Sequence, residues 1–160
     1  MKAENTKTKQ TPSSDFPSFV ADTSFIAAYL LNGFCDDECS DCVQAVEYLL
    51  QNNGQIYVPQ LFWYEIGNVL LYKTRSKKGT PVLSNSDALD IMYDLQFLPI
   101  YTDPQPDSQI RQRIFDLAQE YKLSYYDASY LELSRRTGLP LKTYDEDLII
   151  NTYSECKMGS

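Results

Sequence analysis

Three carboxylates stand out because nothing beside them in the sequence offsets their charge. Between residues 16 and 35 the only charged residue is Asp22, between 57 and 72 it is Glu65, and between 123 and 131 it is Asp127. An ionised carboxylate set in apolar sequence is costly unless it is paired or metal-bound. A fourth candidate, Asp145, is followed by Asp147 across Glu146, and in extended chain both would point one way. Asp22 and Asp127 have an ordinary alternative as helix N-caps, and Asp145 with Asp147 as a turn. Glu65 is harder to assign so, because mid-helix it caps nothing and is expected to be buried beside Trp63 and Tyr64. Asn68 follows it by three residues on the same helix face. Four acids gathered at one edge repel and raise one another's pKa values. A divalent cation relieves that repulsion, and all-oxygen ligation favours Mg²⁺ or Mn²⁺ over zinc.

Composition narrows the chemistry further. The 160-residue chain contains no histidine, which excludes His-dependent triads, His general-base ribonucleases and His-ligated metal sites. Its 14 Lys+Arg against 22 Asp+Glu leave a formal charge of −8, with a pI near 4.5. That balance argues against gripping nucleic acid by bulk positive charge, though not against meeting a phosphate through a bound cation. Cys35, Cys39, Cys42 and Cys156 are expected to be reduced thiols of a cytoplasmic protein. A zinc site would need all four thiolates, the distant Cys156 included, so ordinary helix thiols are the preferred reading. No apolar run approaches the ~20 residues that span a bilayer, and no membrane association is expected.

The elements that must position the acids alternate in type. Residues 1–15 are Lys/Thr/Ser-rich and are expected to form a disordered leader. Residues 16–155 are expected to be the folded domain, and 156–160 a tail. Short apolar strands are expected at 16–21, 55–58, 97–101 and 139–144. Helices are expected at 24–31, 36–51, from Pro59 to about 75, 84–96, 107–121 and 126–137, with Gly138 closing the last of these, and a final helix or turn from Glu146. Strands separated by helices indicate an α/β fold with a parallel sheet, of four strands with a fifth left open. Asp22 then directly follows the first strand and Asp145 the fourth, while Asp127 opens its helix. All three point to the carboxyl edge of the sheet, where such folds bind ligands.

At these residues the chain resembles the PIN domain family, and within it the VapC-type toxin ribonucleases of toxin–antitoxin pairs. The matching pieces are Val20-Ala21-Asp22-Thr23-Ser24, Glu65-Ile66-Gly67-Asn68, Leu123-Ser124-Tyr125-Tyr126-Asp127-Ala128 with Tyr130-Leu131, and Leu141-Lys142-Thr143-Tyr144-Asp145-Glu146-Asp147-Leu148. The resemblance implies a three-layer α/β/α sandwich and Mg²⁺- or Mn²⁺-dependent endoribonuclease activity leaving 5′-phosphate and 3′-hydroxyl ends. It puts Asp22, Glu65, Asp127 and Asp145 on the family's acidic positions and Asp147 on an accessory one. It matches Thr23 or Ser24, and Thr143, to hydroxyls that orient the carboxylates or the attacking water, and Asn68 to a supporting position. An antitoxin partner and a homodimer are implied as well. Apart from the resemblance, the candidates for RNA contacts are Lys73, Arg75, Lys77, Lys78, Arg135 and Arg136, each with a solvated helix end as its ordinary alternative.

Two other readings compete. A haloacid-dehalogenase-like phosphatase also sets a nucleophilic Asp after its first strand and a late acidic pair, but it needs a second Asp where this chain has Ser24, and it gives Glu65 no role. A catalytically idle, protein-binding version of the same fold would keep the aromatic groove and not use the acids.

Overall fold

In the computed structural model, residues 17–34, 39–75 and 78–153 are described. The expected leader and tail, Cys35, Cys156 and Lys77 lie outside the described residues. Among those described, four strands form one sheet: β1 (Phe19–Ala21), β2 (Ile56–Val58), β3 (Ile100–Thr102) and β4 (Leu141–Lys142). They are ordered β3-β2-β1-β4, and every pair is parallel. Seven helices accompany them: α1 (Thr23–Leu30), α2 (Ser40–Gln51), α3 (Leu61–Lys73), α4 (Asn85–Asp94), α5 (Ser108–Tyr121), α6 (Tyr125–Thr137) and α7 (Glu146–Tyr153).

The strand order fixes the layers. Going from β1 to β2 to β3 the chain steps outward in one direction, then returns past β1 to place β4 on its other side. Parallel crossovers are right-handed, so α1 to α4 cover one face and α5 with α6 the other, giving the three-layer sandwich. The reversal of direction lies between β1 and β4. That is the topological switch point of an open parallel sheet, whose crevice opens at the strand carboxyl ends. Asp22 and Thr143, the residues immediately after β1 and β4, flank it.

Each strand is only two or three residues long, and β1 is buried throughout. Such strands rely on the helices packed against them rather than on their own ladders. Phe19, Val20, Ile26, Val46, Leu49, Ile56, Val58, Phe62, Ile66, Leu131 and Leu133 belong to one continuous core. A smaller cluster of Leu31, Leu70, Leu83, Ala88 and Ile91 joins α3 to α4. Gly54, after α2, is required by close approach, since a Cβ there would stand 2.8 Å from the Pro17 carbonyl. Gly138 ends α6 with φ +69°, the left-handed cap that glycine adopts without strain.

Several boundaries depart from the sequence expectation for local reasons. Phe97 closes a 3₁₀ turn (Leu95–Phe97) after α4 instead of opening β3, which begins at Ile100 beyond Pro99. Helix α2 begins at Ser40 with Cys39 as its N-cap. Strand β4 ends at Lys142 because the side chains and backbone that follow turn toward Ser24 and Asp22. No fifth strand occurs among the described residues, and no helix among them is long and apolar enough to cross a membrane.

Candidate active site

The site begins at the end of β1. Asp22 leaves the strand in extended conformation and caps α1, its Oδ1 accepting the Thr23 N–H at 2.6 Å. Capping engages only one side of the carboxylate. Oδ2 accepts the Ser24 hydroxyl at 2.8 Å and the Thr143 hydroxyl at 2.9 Å, so Asp22 is held across the switch point from both β1 and β4. The expected N-cap is therefore a side chain that is only 7% exposed and is also bonded across the switch point.

Glu65 reaches this cluster from α3. Its Oε2 accepts the Thr23 hydroxyl at 2.8 Å and the phenol of Tyr130, a fully buried residue of α6. Thr23 and Tyr130 are themselves 2.9 Å apart. Tyr130 is not among the residues that isolated charge singles out; its sequence signal is its position three residues after Asp127, one helical turn onto the same face. Glu65 is half-buried rather than fully enclosed, and its expected neighbours face elsewhere. Tyr64 is exposed, and Trp63 donates its indole N–H to Thr102.

Asp127 lies in the first turn of α6 but is not its cap. Ser124 occupies that position, its hydroxyl accepting the Asp127 N–H at 3.0 Å and donating to Asp127 Oδ2 at 2.6 Å. The N-cap expectation for Asp127 is thus corrected by one turn of register. Asp145 precedes α7, and its Oδ1 accepts the N–H groups of Asp147 and Leu148. Because α7 starts at Glu146, Asp145 and Asp147 are not alternating residues of an extended segment, contrary to the sequence expectation. Asp147 stands exposed in the first helical turn.

These acids act on one another electrostatically. Burial raises the Glu65 carboxyl above its usual range, opposed by the hydroxyls of Tyr130 and Thr23 and reinforced by the charges of Asp22 and Asp127. Burial likewise raises Asp127, opposed by Ser124 and reinforced by Asp145, Asp22 and Asp147. No lysine or arginine forms an ion pair with Asp22, Glu65, Asp127 or Asp145 among the described residues. Nor do any three acids among those residues already share one coordination sphere. Hydroxyls rather than cations hold the carboxylates, and the donor set is wholly oxygen. That is the chemistry Mg²⁺ and Mn²⁺ select, so the residues present fit such an ion.

The remaining candidates divide. Thr143 also accepts the Asp145 N–H at 2.9 Å, and Ser24 accepts the Tyr144 N–H at 3.0 Å. Thr23, Ser24 and Thr143 therefore all touch the acidic cluster. Asn68 is exposed on α3 and has no bond to the acids among the described residues. Lys73 is half-buried, while Arg75 and Lys78 are exposed. Arg135 stacks over the Tyr121 ring at 5.0 Å. Arg136 is committed elsewhere, pairing with Asp103 at 2.6 Å and with Glu132 at 3.1 Å.

Comparison with known proteins agrees with this geometry. The family description of the PIN domain matches residues 19–152, so the chain belongs to the PIN domain family. Among solved structures it is similar to PAE2754 from Pyrobaculum aerophilum, with 21% identity, a TM-score of 0.54 and 82% of each chain covered. It is also similar to VapC20 of Mycobacterium tuberculosis, a toxin that cleaves the sarcin-ricin loop. There the identity is 14% and the TM-score 0.53, covering 83% of this chain and 94% of that one. No curated protein matches the sequence. Family membership sets aside the phosphatase alternative.

Proposed function

We propose that this protein is a divalent-metal-dependent endoribonuclease, acting as the toxin of a toxin–antitoxin pair. The observation that carries the reading is the gathering of Asp22, Glu65 and Asp127 at the switch point, where the Asp22 charge raises the proton affinity of both Glu65 and Asp127 and no lysine or arginine among the described residues pairs with them. Buried negative charge of that kind serves no purpose in stability and is suited to holding Mg²⁺ or Mn²⁺.

Asp22, Glu65, Asp127 and Asp145 would hold the ion, with Asp147 at the rim. When bound, it would lower the pKa of a water and stabilise charge developing on a phosphate. The chain's own residues fix the donors. Ser24 and Thr143 lock the Asp22 carboxylate between β1 and β4, and Tyr130 with Thr23 orients Glu65 from the opposite side. Each oriented oxygen is then placed before RNA arrives, which avoids reorganisation during the reaction. Lys73, Arg75 and Lys78 are the candidates for the RNA backbone.

Family membership and the fold shared with a VapC toxin support the toxin assignment, with cytoplasmic action on RNA. Tyr64 and Tyr72 of α3, Tyr93 of α4 and Phe97 are all more than half exposed. Exposed aromatic surface of this extent suits an antitoxin segment or a second copy of the chain.

The test is incubation of the purified full chain with total RNA in Mn²⁺ or Mg²⁺ and in EDTA, followed by mapping of the cut ends. Cleavage dependent on the cation and lost in Asp22→Asn is expected, with a fall of about a thousandfold or more. Asparagine caps a helix as well as aspartate does, so the variant should fold. Full activity in folded Asp22→Asn would refute the assignment.

A further inference from the structure

Cys39 and Cys42 take no part in the chemistry proposed above, yet they are arranged as a pair. Helix α2 opens on Cys39-Ser40-Asp41-Cys42, with Cys39 as N-cap and Cys42 in the first turn. Helical residues three apart have Cβ atoms about 5–6 Å from each other, against roughly 3.5–4.5 Å in a disulfide. Cys39 supplies the freedom to close that gap, because its backbone, at φ −95° and ψ 74°, lies outside the helix. A rotation at the cap brings the sulfurs together without unwinding α2.

The two thiols differ as an attacking and a resolving cysteine differ. Cys42 is fully buried, its thiol donating to the Cys39 carbonyl at 3.0 Å. Burial and the Cys39 neighbour push it up to about 11. Cys39 is half-exposed, and its Sγ lies 2.7 Å from the Tyr144 hydroxyl. Partial burial alone would raise the Cys39 thiol, but hydrogen bonds from Tyr144 and from Cys42 outweigh it and bring the thiol below its ordinary value.

Tyr144 joins this pair to the acidic edge. Its ring stacks on Phe25 with centroids 5.4 Å apart, and its N–H donates to Ser24 at 3.0 Å. It lies between Thr143, which donates to Asp22, and Asp145.

We propose that Cys39 and Cys42 form a redox-active dithiol, oxidised reversibly by low-molecular-weight disulfides, and that closing their disulfide releases Tyr144 and loosens the Thr143-Tyr144-Asp145 segment of the acidic site. The Cys39 thiolate attacks one sulfur of RS–SR, forming a mixed disulfide and expelling RS⁻, which takes up the proton that Cys39 gave up. Cys42 loses its proton as it attacks the Cys39 sulfur, and the second RS⁻ departs and receives it. The small disulfide is reduced to two RSH while the protein loses two electrons and two protons. The effect on cleavage rests on the nuclease reading; disulfide formation does not.

The experiment uses the full chain carrying Cys35→Ser and Cys156→Ser, so that only Cys39 and Cys42 remain. It is equilibrated with glutathione at graded ratios of oxidised to reduced form. Mass spectrometry should find a species lighter by two hydrogens with Cys39 and Cys42 linked, and a Cys42→Ser version should instead hold one glutathione on Cys39. The oxidised form should cut RNA about fivefold more slowly than the reduced form, the loss that one net hydrogen bond carries. A Cys39→Ser version should be insensitive to the glutathione ratio. Two thiols that stay free at every ratio would overturn the proposal, and a disulfide without change in cleavage would overturn its link to the acidic site. Should the reduced chain cut no RNA, the nuclease reading fails while the mass measurement still decides the dithiol.

Discussion

Helix α6 carries two buried carboxylate environments that are solved in opposite ways. Toward its carboxyl end Glu132 is 3% exposed and is met by the Nε groups of Arg113 and Arg136, each at 3.1 Å. Arg136 continues to Asp103, so this region is an extended ion-pair network tying α5, α6 and the segment after β3. Toward the amino end Asp127 and Tyr130 face Asp22 and Glu65, where, among the described residues, hydroxyls and backbone N–H groups bond to the acids and no arginine or lysine pairs with them. A carboxylate answered by arginine is complete within the fold. One answered by hydroxyls is oriented but still carries its charge, and it raises the proton affinity of its neighbours. The first arrangement holds helices together, and the second retains the capacity to bind a cation.

Substitutions separate the two regions. Glu132→Gln should destabilise the fold by about 2 kcal/mol in urea unfolding, because Arg113 and Arg136 lose a charged partner at a buried position. The partial exposure of both arginines keeps the loss below that of a fully enclosed pair. Cleavage per folded molecule should be unchanged, and a stability loss within about 0.5 kcal/mol, the range of ordinary surface changes, would mean the network contributes nothing. Tyr130→Phe acts in the other region. It removes the phenol from Glu65 and Thr23, and cleavage should fall about tenfold while stability changes by about 1 kcal/mol. Wild-type rates in that variant would show that Glu65 needs no orientation from α6.

The pH dependence is smaller and has a definite sign. Without divalent cations, Glu65 and Asp127 titrate above their ordinary values of 4.5 and 3.8. Between those values and the raised ones the folded chain binds more protons than the unfolded chain. Stability contributed by these groups therefore falls as pH rises through that interval and is recovered on acidification. In EDTA, wild type minus Glu65→Gln should show this slope in urea midpoints. A difference that rises with pH would contradict the assigned shift.

Much of the acidic site was legible in the sequence because the signal was local. Asp22, Glu65 and Asp127 each stand alone in an apolar window, and such isolation marks a charge that needs a distant partner. The same rule concealed Glu132, whose neighbours Arg135 and Arg136 made it look like surface charge, while its other partner, Arg113, comes from α5. Tyr130 was concealed because an uncharged aromatic in an apolar run reads as core; its hydroxyl acquires meaning only once α3 and α6 converge on Thr23. The parallel sheet followed from alternation of element type. The two-residue extent of β4 did not, since Thr143 and Tyr144 are drawn out of the ladder by bonds to Asp22 and Ser24 that no local propensity encodes.

The most direct measurement is thermal unfolding of the wild type and Asp22→Asn across a titration of MnCl₂ or MgCl₂. A ligand that binds only the folded state stabilises it by RT ln(1 + [L]/Kd), about 2.7 kcal/mol at a hundredfold excess over Kd. The melting temperature of the wild type should rise steadily with the cation, and that of Asp22→Asn should stay flat. Equal responses from the two proteins, or none from the wild type, would contradict the claim that these carboxylates form a cation site.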